Sequence, residues 1–288
     1  MAMPNPFEAL KFRWVLLGLI GASVALGLGL SLLEMMGWLP IAATDPLLQA
    51  LTYLLLSLGL WPLIGWLGRK TKLRYRHLFG PRPQRFSWVM ATVLTVALLM
   101  FSLGAFQVSF YGLSFLAPEL VEETLQQPPT LFTSETAVPW LYSSLMMLNV
   151  VMVAPIAEEF IFRGVLLHRW GTKWNTPAAV VVSSLLFGIL HTNVVGLFVF
   201  GLVMALLYLR TRSLWAPIFC HMLNNILAIA LELLAAPSAE MTLSEFRENS
   251  WVGLILMAAS APWLLRFILQ NWSKTWEALP YFVNAKRF

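Results

Sequence analysis

The stretch SWVMATVLTVALLMFSLGAFQVSFYGLSFL, residues 87–116, contains no charged side chain. A helix rises about 1.5 Å per residue, so about 20 apolar residues are enough to cross the hydrocarbon core of a bilayer. This stretch is therefore long enough to span a membrane. The rest of the chain has the same character, since 59% of its 288 residues are hydrophobic and only 11% are charged. Such a composition excludes an ordinary soluble domain.

Eight stretches of this kind occur along the chain. They lie near residues 13–33, 47–67, 87–116, 139–168, 177–193, 194–210, 214–236 and 251–270. There is no internal repeat and no linker rich in Gly, Ser or Pro. We therefore expect an all-α polytopic membrane protein, with one bundle of about eight transmembrane helices forming a single domain over 1–288. The first stretch is too long for a signal peptide and is interpreted as a retained anchor, and the fourth needs a tilt or a kink, for which Pro155 is the candidate.

Basic residues are distributed unevenly between the predicted loops. If the N-terminus is cytoplasmic, 17 of the 19 Lys and Arg residues fall in cytoplasmic segments, which is the bias that orients membrane proteins. Both termini are then expected in the cytoplasm. The pI of 9.6 reflects this bias rather than a compact basic patch, so a lipid bilayer is expected as partner and nucleic acid is not. The pattern favours the plasma membrane of a prokaryote and also fits a thylakoid or plastid membrane.

The fourth stretch contains the run EEFIFR, which places Glu158, Glu159 and Arg163 inside a predicted span. An ionisable side chain at mid-bilayer costs roughly 2.5–3.5 kcal/mol or more, so it needs a partner or a wet cavity. On a helix Glu159 and Arg163 share a face, whereas Glu158 is turned away by about 100°. We expect Arg163 to neutralise Glu159, which leaves Glu158 to act as a general base. For the triplet alone, a charge-compensated structural cluster is the alternative.

Polar residues at helical spacing also occur in two later stretches. Phe187 and His191 share a face at the end of the fifth, and His221 and Asn225 share a face of the seventh. The second pair could hydrogen-bond one developing negative charge. At about 1.5 Å per residue, these histidines, Asn225 and Glu158 reach a similar depth near the middle of the membrane. We therefore predict that they act together.

Three other ionisable residues are left outside the predicted site. His77 and His168 fall in or beside cytoplasmic loops, so ordinary solvation is expected for both. Glu232 returns to the face of Asn225 seven residues later, but it lies nearer the opposite surface and is interpreted as interfacial.

Together the three motifs resemble the CAAX protease and bacteriocin-processing family, also called the Abi family or type II CAAX prenyl endopeptidases. The family pattern is EExxxR, then FxxxH, then HxxxN or HxxxD on successive helices. This chain matches every position, with Glu158, Glu159, Arg163, Phe187, His191, His221 and Asn225. The resemblance covers about residues 139–236, which are taken as the catalytic core.

The resemblance implies a glutamate-dependent intramembrane endopeptidase that acts on a membrane protein or peptide. In such an enzyme the first Glu and the first His activate a water, and the later His and Asn hold the oxyanion. Glu158 and His191 would then form the base pair, and His221 and Asn225 the oxyanion site. The other three matched residues would support these four.

Two other functions remain compatible with the sequence. A zinc metallopeptidase could use His191, His221 and a Glu as ligands with one open position. The HExxH spacing is absent and Asn225 is a poor zinc ligand, so no metal or cofactor is expected. A membrane scaffold or immunity protein without catalytic activity would use the same polar cluster for folding or for binding a partner.

Overall fold

The computed structural model describes residues 5–10, 12–38, 45–83, 86–127, 130–131, 135–234 and 241–288. These residues contain no strand. Their long helices are α1 (Phe12–Met35), α2 (Pro46–Thr71), α3 (Trp88–Leu116), α4 (Pro139–Lys173), α5 (Thr176–Ile189), α6 (Val194–Thr211), α7 (Trp215–Leu234) and α8 (Trp251–Trp272). Short helices cover Tyr75–Phe79, Pro118–Leu125, Leu243–Asn249 and Pro280–Asn284.

Among the described helices, six are long and apolar enough to cross a membrane, namely α2, α3, α4, α6, α7 and α8. Two shorter apolar stretches are Ile20–Met35, within α1, and α5. The prediction of an all-α polytopic membrane protein is confirmed, whereas the number of crossings and the orientation of the termini stay predictions. Lys11 and Arg85, two of the basic residues behind that orientation, lie outside the described residues.

The chain divides into two compact units, and the first comprises Met1–Tyr75 and Pro128–Glu158. Within it, α2 packs against α1 and against the first part of α4. The second unit comprises Arg76–Gln127 and Glu159–Phe288. Within it, α3 packs against α6, α7 and α8, and α6 packs against α5. The unit boundary falls between two adjacent residues of α4, so each unit contains part of that helix.

In the first unit, Asp45 fixes the start of α2. Its carboxylate accepts hydrogen bonds from the backbone N–H groups of Leu47 at 2.8 Å and Ala137 at 3.0 Å. Hydrogen bonds from the Thr136 side chain, and then from these two N–H groups, hold the pKa of Asp45 below its ordinary value. Pro46, which follows, suits the first helical position because that position needs no N–H donor.

In the second unit, α3 and α8 approach closely at two glycines. A Cβ atom added to Gly104 would lie 2.5 Å from the carbonyl oxygen of Gly253, and one added to Gly253 would lie 2.9 Å from the carbonyl oxygen of Gly104. Small residues let the backbones of membrane helices approach, and close van der Waals packing then holds the helices together. This contact fixes the packing of α3 against α8 within the second unit.

The middle of α4 departs from regular α-helical geometry. Two π-helical segments, Asn149–Val153 and Phe160–Leu166, flank the α-helical residues Ala154–Glu159. Pro155, the predicted kink position, lies two residues after the end of the first segment, where its missing N–H breaks the regular hydrogen-bond ladder. In a π-helical turn the N–H bonds to a carbonyl five residues earlier, and such turns are frequent at functional sites. The second segment begins directly after Glu159.

Candidate active site

The seven motif residues lie on three helices and the turn that follows one of them. They are Glu158, Glu159 and Arg163 on α4, Phe187 on α5, His221 and Asn225 on α7, and His191 in the turn after α5. Glu158 is the last residue of the first unit, and its side chain is partly exposed. The other six belong to the second unit, where most of them are drawn into one cluster.

Glu159 is the centre of a buried charge cluster. Its side chain is fully buried, and its Oε1 accepts hydrogen bonds from Arg163 Nη1 at 2.8 Å and from His221 Nδ1 at 2.9 Å. Arg163, only 2% exposed, also donates from Nη2 to the backbone carbonyl of Gly201 at 3.2 Å. The Glu159–Arg163 pair that the spacing predicts is therefore present, and His221 joins it. Because a buried charge is costly unless it is paired, these three side chains depend on one another.

His168 supports the π-helical segment that carries Arg163. Its Nε2 accepts a hydrogen bond from the backbone N–H of Tyr281 at 3.1 Å, so the neutral ring carries its proton on Nδ1 and donates it to the Arg163 carbonyl at 3.2 Å. His168 is fully buried and His77 is 2% exposed. The prediction of ordinary solvation is therefore wrong for both, because the ring of Tyr281 covers them.

Phe187 is the aromatic centre around which the polar groups pack. Its ring is fully buried, and its centroid lies 4.7 Å from the Arg163 guanidinium carbon, 4.6 Å from the ring centroid of His191 and 5.9 Å from that of His221. A guanidinium at this distance is attracted to the face of the ring. Phe187 therefore contacts residues of all three motifs and keeps water away from the Glu159 cluster.

His191 lies beyond the end of its helix. The prediction that the fifth span continues to residue 193 is wrong, because α5 ends at Ile189 and Asn193 caps α6 by accepting a hydrogen bond from the Gly196 N–H at 3.1 Å. His191 Nδ1 lies 2.6 Å from the carbonyl oxygen of Phe187. A carbonyl only accepts, so Nδ1 carries the proton and the Nε2 of a neutral ring has the lone pair. The turn thus fixes which ring nitrogen can accept a proton.

The two motif residues of α7 are one helical turn apart. His221 is 5% exposed, and its Nδ1 lies 2.9 Å from Glu159 Oε1. The Oδ1 of Asn225 accepts a hydrogen bond from Asn224 Nδ2 at 3.3 Å, so Asn225 is oriented to donate from its own Nδ2. The predicted sharing of one helix by these two residues is confirmed.

Three further residues complete the cluster, and none was predicted from the sequence. The rings of Phe162 and Phe200 lie 5.0 and 5.8 Å from that of Phe187, and Gly201 supplies the carbonyl that binds Arg163. A Cβ atom on Gly201 would lie 3.0 Å from Ser184 Cα. An apolar or glycine residue in an apolar span carries no sequence signal that separates it from ordinary packing.

Within the described part of the chain, no three His, Cys, Asp or Glu side chains are grouped so that they could hold a metal ion together. The expectation of a metal-independent site stays a prediction, which chelation can test.

The carboxylate of Glu159, the guanidinium of Arg163 and the imidazoles of His191 and His221 thus lie close together in an integral membrane protein. Side chains of these types are the ones that proteins use for acid–base chemistry. Residues 139–227 match the family model for type II CAAX prenyl endopeptidase Rce1-like proteins. This segment includes all seven motif residues, so the resemblance predicted from the three motifs is confirmed there.

Two curated bacterial proteins are similar over the same part of the chain. One is the putative membrane peptidase YdiL of Bacillus subtilis, 36% identical over 92 residues, which cover 31% of this chain and 38% of that protein. Another is the membrane-embedded CAAX protease MroQ of Staphylococcus aureus, 32% identical over 94 residues, which cover 30% of this chain and 38% of that protein. The similarity thus spans about two fifths of each relative. No solved structure matches the chain significantly.

Proposed function

We propose that this chain is an intramembrane endopeptidase that hydrolyses a peptide bond in a membrane-associated protein or peptide. The observation that carries the proposal is the buried Arg163–Glu159–His221 network, which packs through Phe187 against His191. The chain is similar to a family of prenyl endopeptidases and to a CAAX protease. This similarity supports peptide hydrolysis as the reaction in which the network takes part. Peptide hydrolysis needs a base for the attacking water and donors for the oxyanion.

In the proposed reaction, Glu158 accepts a proton from the water as its oxygen attacks the scissile carbonyl carbon. His191 positions the same water, because its Nδ1–H is held by a carbonyl and its Nε2 can accept a hydrogen bond. The family resemblance supplies this pairing of Glu158 with His191. General-base catalysis by a positioned side chain typically contributes 10²–10⁴-fold to a rate.

His221 and Asn225 then stabilise the oxyanion of the tetrahedral intermediate. His221 can donate from Nε2 only if its ring carries both protons, since Nδ1 already donates to Glu159. The carboxylate of Glu159 accepts the Nδ1 proton of His221, and its hydrogen bond with Arg163 holds it in that orientation. Removing one oxyanion donor typically costs about 10²–10³-fold in kcat.

Collapse of the intermediate completes the proposed cycle. The oxyanion re-forms a carbonyl, the C–N bond breaks, and Glu158 returns its proton to the departing amine nitrogen. The products are a new carboxyl terminus and a new amino terminus, and Glu158 is again a carboxylate. No group other than water is consumed.

The experiment that tests this proposal compares membrane peptides in strains that lack the chromosomal gene and carry wild-type protein or Glu158→Gln. Peptides that accumulate uncut with Glu158→Gln at normal protein abundance are expected. Glu232→Gln is the matched control, because it neutralises another carboxylate in a span outside the proposed site. Identical peptide profiles for wild-type protein and Glu158→Gln would contradict catalysis and favour the scaffold or immunity function.

The role of metal is tested on purified protein with a substrate found by that comparison. Cleavage that survives a strong chelator is expected. Cleavage that is lost on chelation and restored by zinc would replace the proposed water activation by a metal-dependent one.

A further inference from the structure

A cavity of about 520 Å³ lies in the second unit, and none of its lining residues belongs to the Glu159 cluster. Its lining includes the start of α3, the last turn of α6 and part of the last turns of α8, together with the segment after the Tyr75–Phe79 helix and residues 287–288. Three candidate membrane spans therefore begin or end around it. The ends of membrane spans are where the apolar core of a bilayer gives way to its polar headgroups.

Three arginines line this cavity, and we refer to it as the arginine-rimmed cavity. They are Arg82, Arg210 and Arg287, all exposed, and none of the fourteen described lining residues is acidic. Across the described residues, no carboxylate is paired with any of the three. The neighbouring Arg212 does have an acidic partner, Glu277, at 3.0 Å. The cavity therefore concentrates positive charge that the protein itself does not neutralise.

Arg210 is held in place by neutral groups. Its Nη1 donates to Asn271 Oδ1 at 3.4 Å, and the buried Asn271 donates from Nδ2 to the carbonyl of Phe267 at 2.7 Å. Phe267 is itself part of the cavity lining. The guanidinium is thus oriented without losing its charge, as a site for an anion requires.

The segment that carries Arg287 is also fixed to the second unit. Asn284, fully buried, donates from Nδ2 to the carbonyls of His77 and Arg212, both at 2.9 Å. The Arg287 N–H donates to the Asn284 carbonyl at 2.9 Å. These bonds hold Arg287 beside the end of α6, so its place at the rim is part of the fold.

The floor of the cavity is apolar and buried. It is formed by Ala91, Leu94, Leu207 and Phe267, none more than 9% exposed. Leu94 is seven residues into α3, so the floor reaches about 10 Å from the helix start towards the membrane interior. A ligand that fills this cavity must be anionic at the rim and apolar below it.

We propose that the arginine-rimmed cavity binds the headgroup of an acidic phospholipid. The phosphate lies among the three guanidinium groups, which bind phosphate oxygens bidentately, and the glycerol and upper acyl chain lie on the apolar floor. The positive bias of this side of the chain predicts that the lipid comes from the cytoplasmic leaflet. This proposal concerns lipid binding and does not depend on peptidase activity.

Native mass spectrometry of the full chain in detergent tests the proposal with phosphatidylglycerol and phosphatidylcholine that have identical acyl chains. Wild-type protein is expected to retain one phosphatidylglycerol in preference to phosphatidylcholine. In Arg82→Gln/Arg287→Gln the association constant for phosphatidylglycerol should fall about thirtyfold, since two charges near the phosphate are lost. The Glu158→Gln variant should bind as wild type does.

The control variant Arg266→Gln/Lys286→Gln removes two exposed positive charges near the same helix ends without altering the lining. Phosphatidylglycerol binding should stay within a few-fold of wild type. Equal losses in the two double variants would show diffuse attraction and overturn the proposal. Displacement of the lipid by inorganic phosphate, or by a short peptide with an apolar C-terminal carboxylate, would overturn it in favour of a soluble anion or a peptide.

Discussion

The Glu159 cluster and the arginine-rimmed cavity use the same guanidinium chemistry in opposite surroundings. In the cluster, Arg163 is 2% exposed and its charge is matched by a carboxylate at 2.8 Å. At the rim, Arg82 and Arg287 are exposed and no described carboxylate is paired with them. Water and lipid headgroups can solvate the rim, whereas nothing but the protein can solvate the cluster.

Buried, paired charges and exposed, unpaired charges have different physical consequences. A buried, mutually paired set of charges is rigid, because moving any member leaves another unpaired in a low-dielectric environment. Like charges around an apolar floor do not need one another as partners. They attract an external anion instead. Removing a guanidinium should therefore lower the stability of the protein strongly in the cluster, whereas at the rim it should leave stability nearly unchanged and weaken anion binding.

The largest effect is expected when the cluster loses its cation. Arg163→Met should lower the free energy of unfolding by about 3–5 kcal/mol, because Glu159 then keeps a buried charge with one partner fewer. The change is measured by titrating the protein with a denaturing detergent and monitoring its unfolding by tryptophan fluorescence.

Two variants make that result specific. Arg82→Met, the same replacement at the rim, should change the free energy of unfolding by no more than about 0.5 kcal/mol. Glu159→Gln/Arg163→Met removes both charges and should recover part of the loss. Equal losses for Arg163→Met and Arg82→Met would contradict the contrast between the two regions.

How far the sequence predicts these regions depends on the kind of signal each leaves. The four-residue spacing of Glu159 and Arg163 predicts their ion pair, because two opposite charges in an apolar span have few other ways to be neutralised. The apolar stretches likewise predict the helices, since most helix ends fall within a few residues of the expected ones. Charge and apolar length are local properties, and a sequence displays them directly.

What the sequence does not predict comes from contacts between distant segments. Its spacing predicts neither the hydrogen bond of His221 to Glu159 nor the π-helical turn that carries Arg163. The burial of His168 depends on Tyr281, which is over a hundred residues away. The arginine-rimmed cavity is missed for the same reason, because its three arginines occur in three separate segments that look like ordinary topology signals.

A smaller effect is expected at His168, which connects the two regions through the chain segment leading to Arg287. His168→Ala should lower the free energy of unfolding by about 2–4 kcal/mol, because it leaves a cavity and two backbone groups without their hydrogen bonds. It should also weaken phosphatidylglycerol binding several-fold by loosening that segment. Arg169→Ala, at the adjacent partly exposed position, is the control and should do neither. A stable His168→Ala protein would show that the connection is unimportant.

The packing of α3 on α8 should also distinguish the regions, since these helices supply Leu94 and Phe267 to the cavity floor. Gly104→Ala places a methyl group 2.5 Å from the Gly253 carbonyl oxygen and should cost about 1–3 kcal/mol. On the same helix, Gly112→Ala meets no atom within 4 Å and should stabilise the helix by up to about 1 kcal/mol. Thermal unfolding of the two variants checks the sign of each change, and a matching sign would contradict this account of the contact.

The smallest effect is expected at Glu277, an exposed acid that pairs with Arg212, two residues after Arg210 of the rim. A hydrogen bond from Lys274, and then one from Arg212, lowers the pKa of Glu277 from its ordinary value of 4.5. Because the folded-state pKa lies below the unfolded one, the stabilisation is present above about pH 4.5 and is lost as the pH falls through the folded value. The side chain is 39% exposed, so water screens the pair, and Glu277→Gln should cost no more than about 1 kcal/mol at neutral pH.

The midpoint of thermal unfolding, measured for wild-type protein and Glu277→Gln from neutral pH down to below 4.5, checks that sign. The two midpoints should converge as the pH falls, since a protonated Glu277 no longer pairs with either cation. Removing the acid also leaves Arg212 and Lys274 unneutralised, so phosphatidylglycerol should bind up to about fivefold more tightly at neutral pH. A difference that grows on acidification, or weaker lipid binding, would show that Glu277 does not limit the positive charge at this end of the unit.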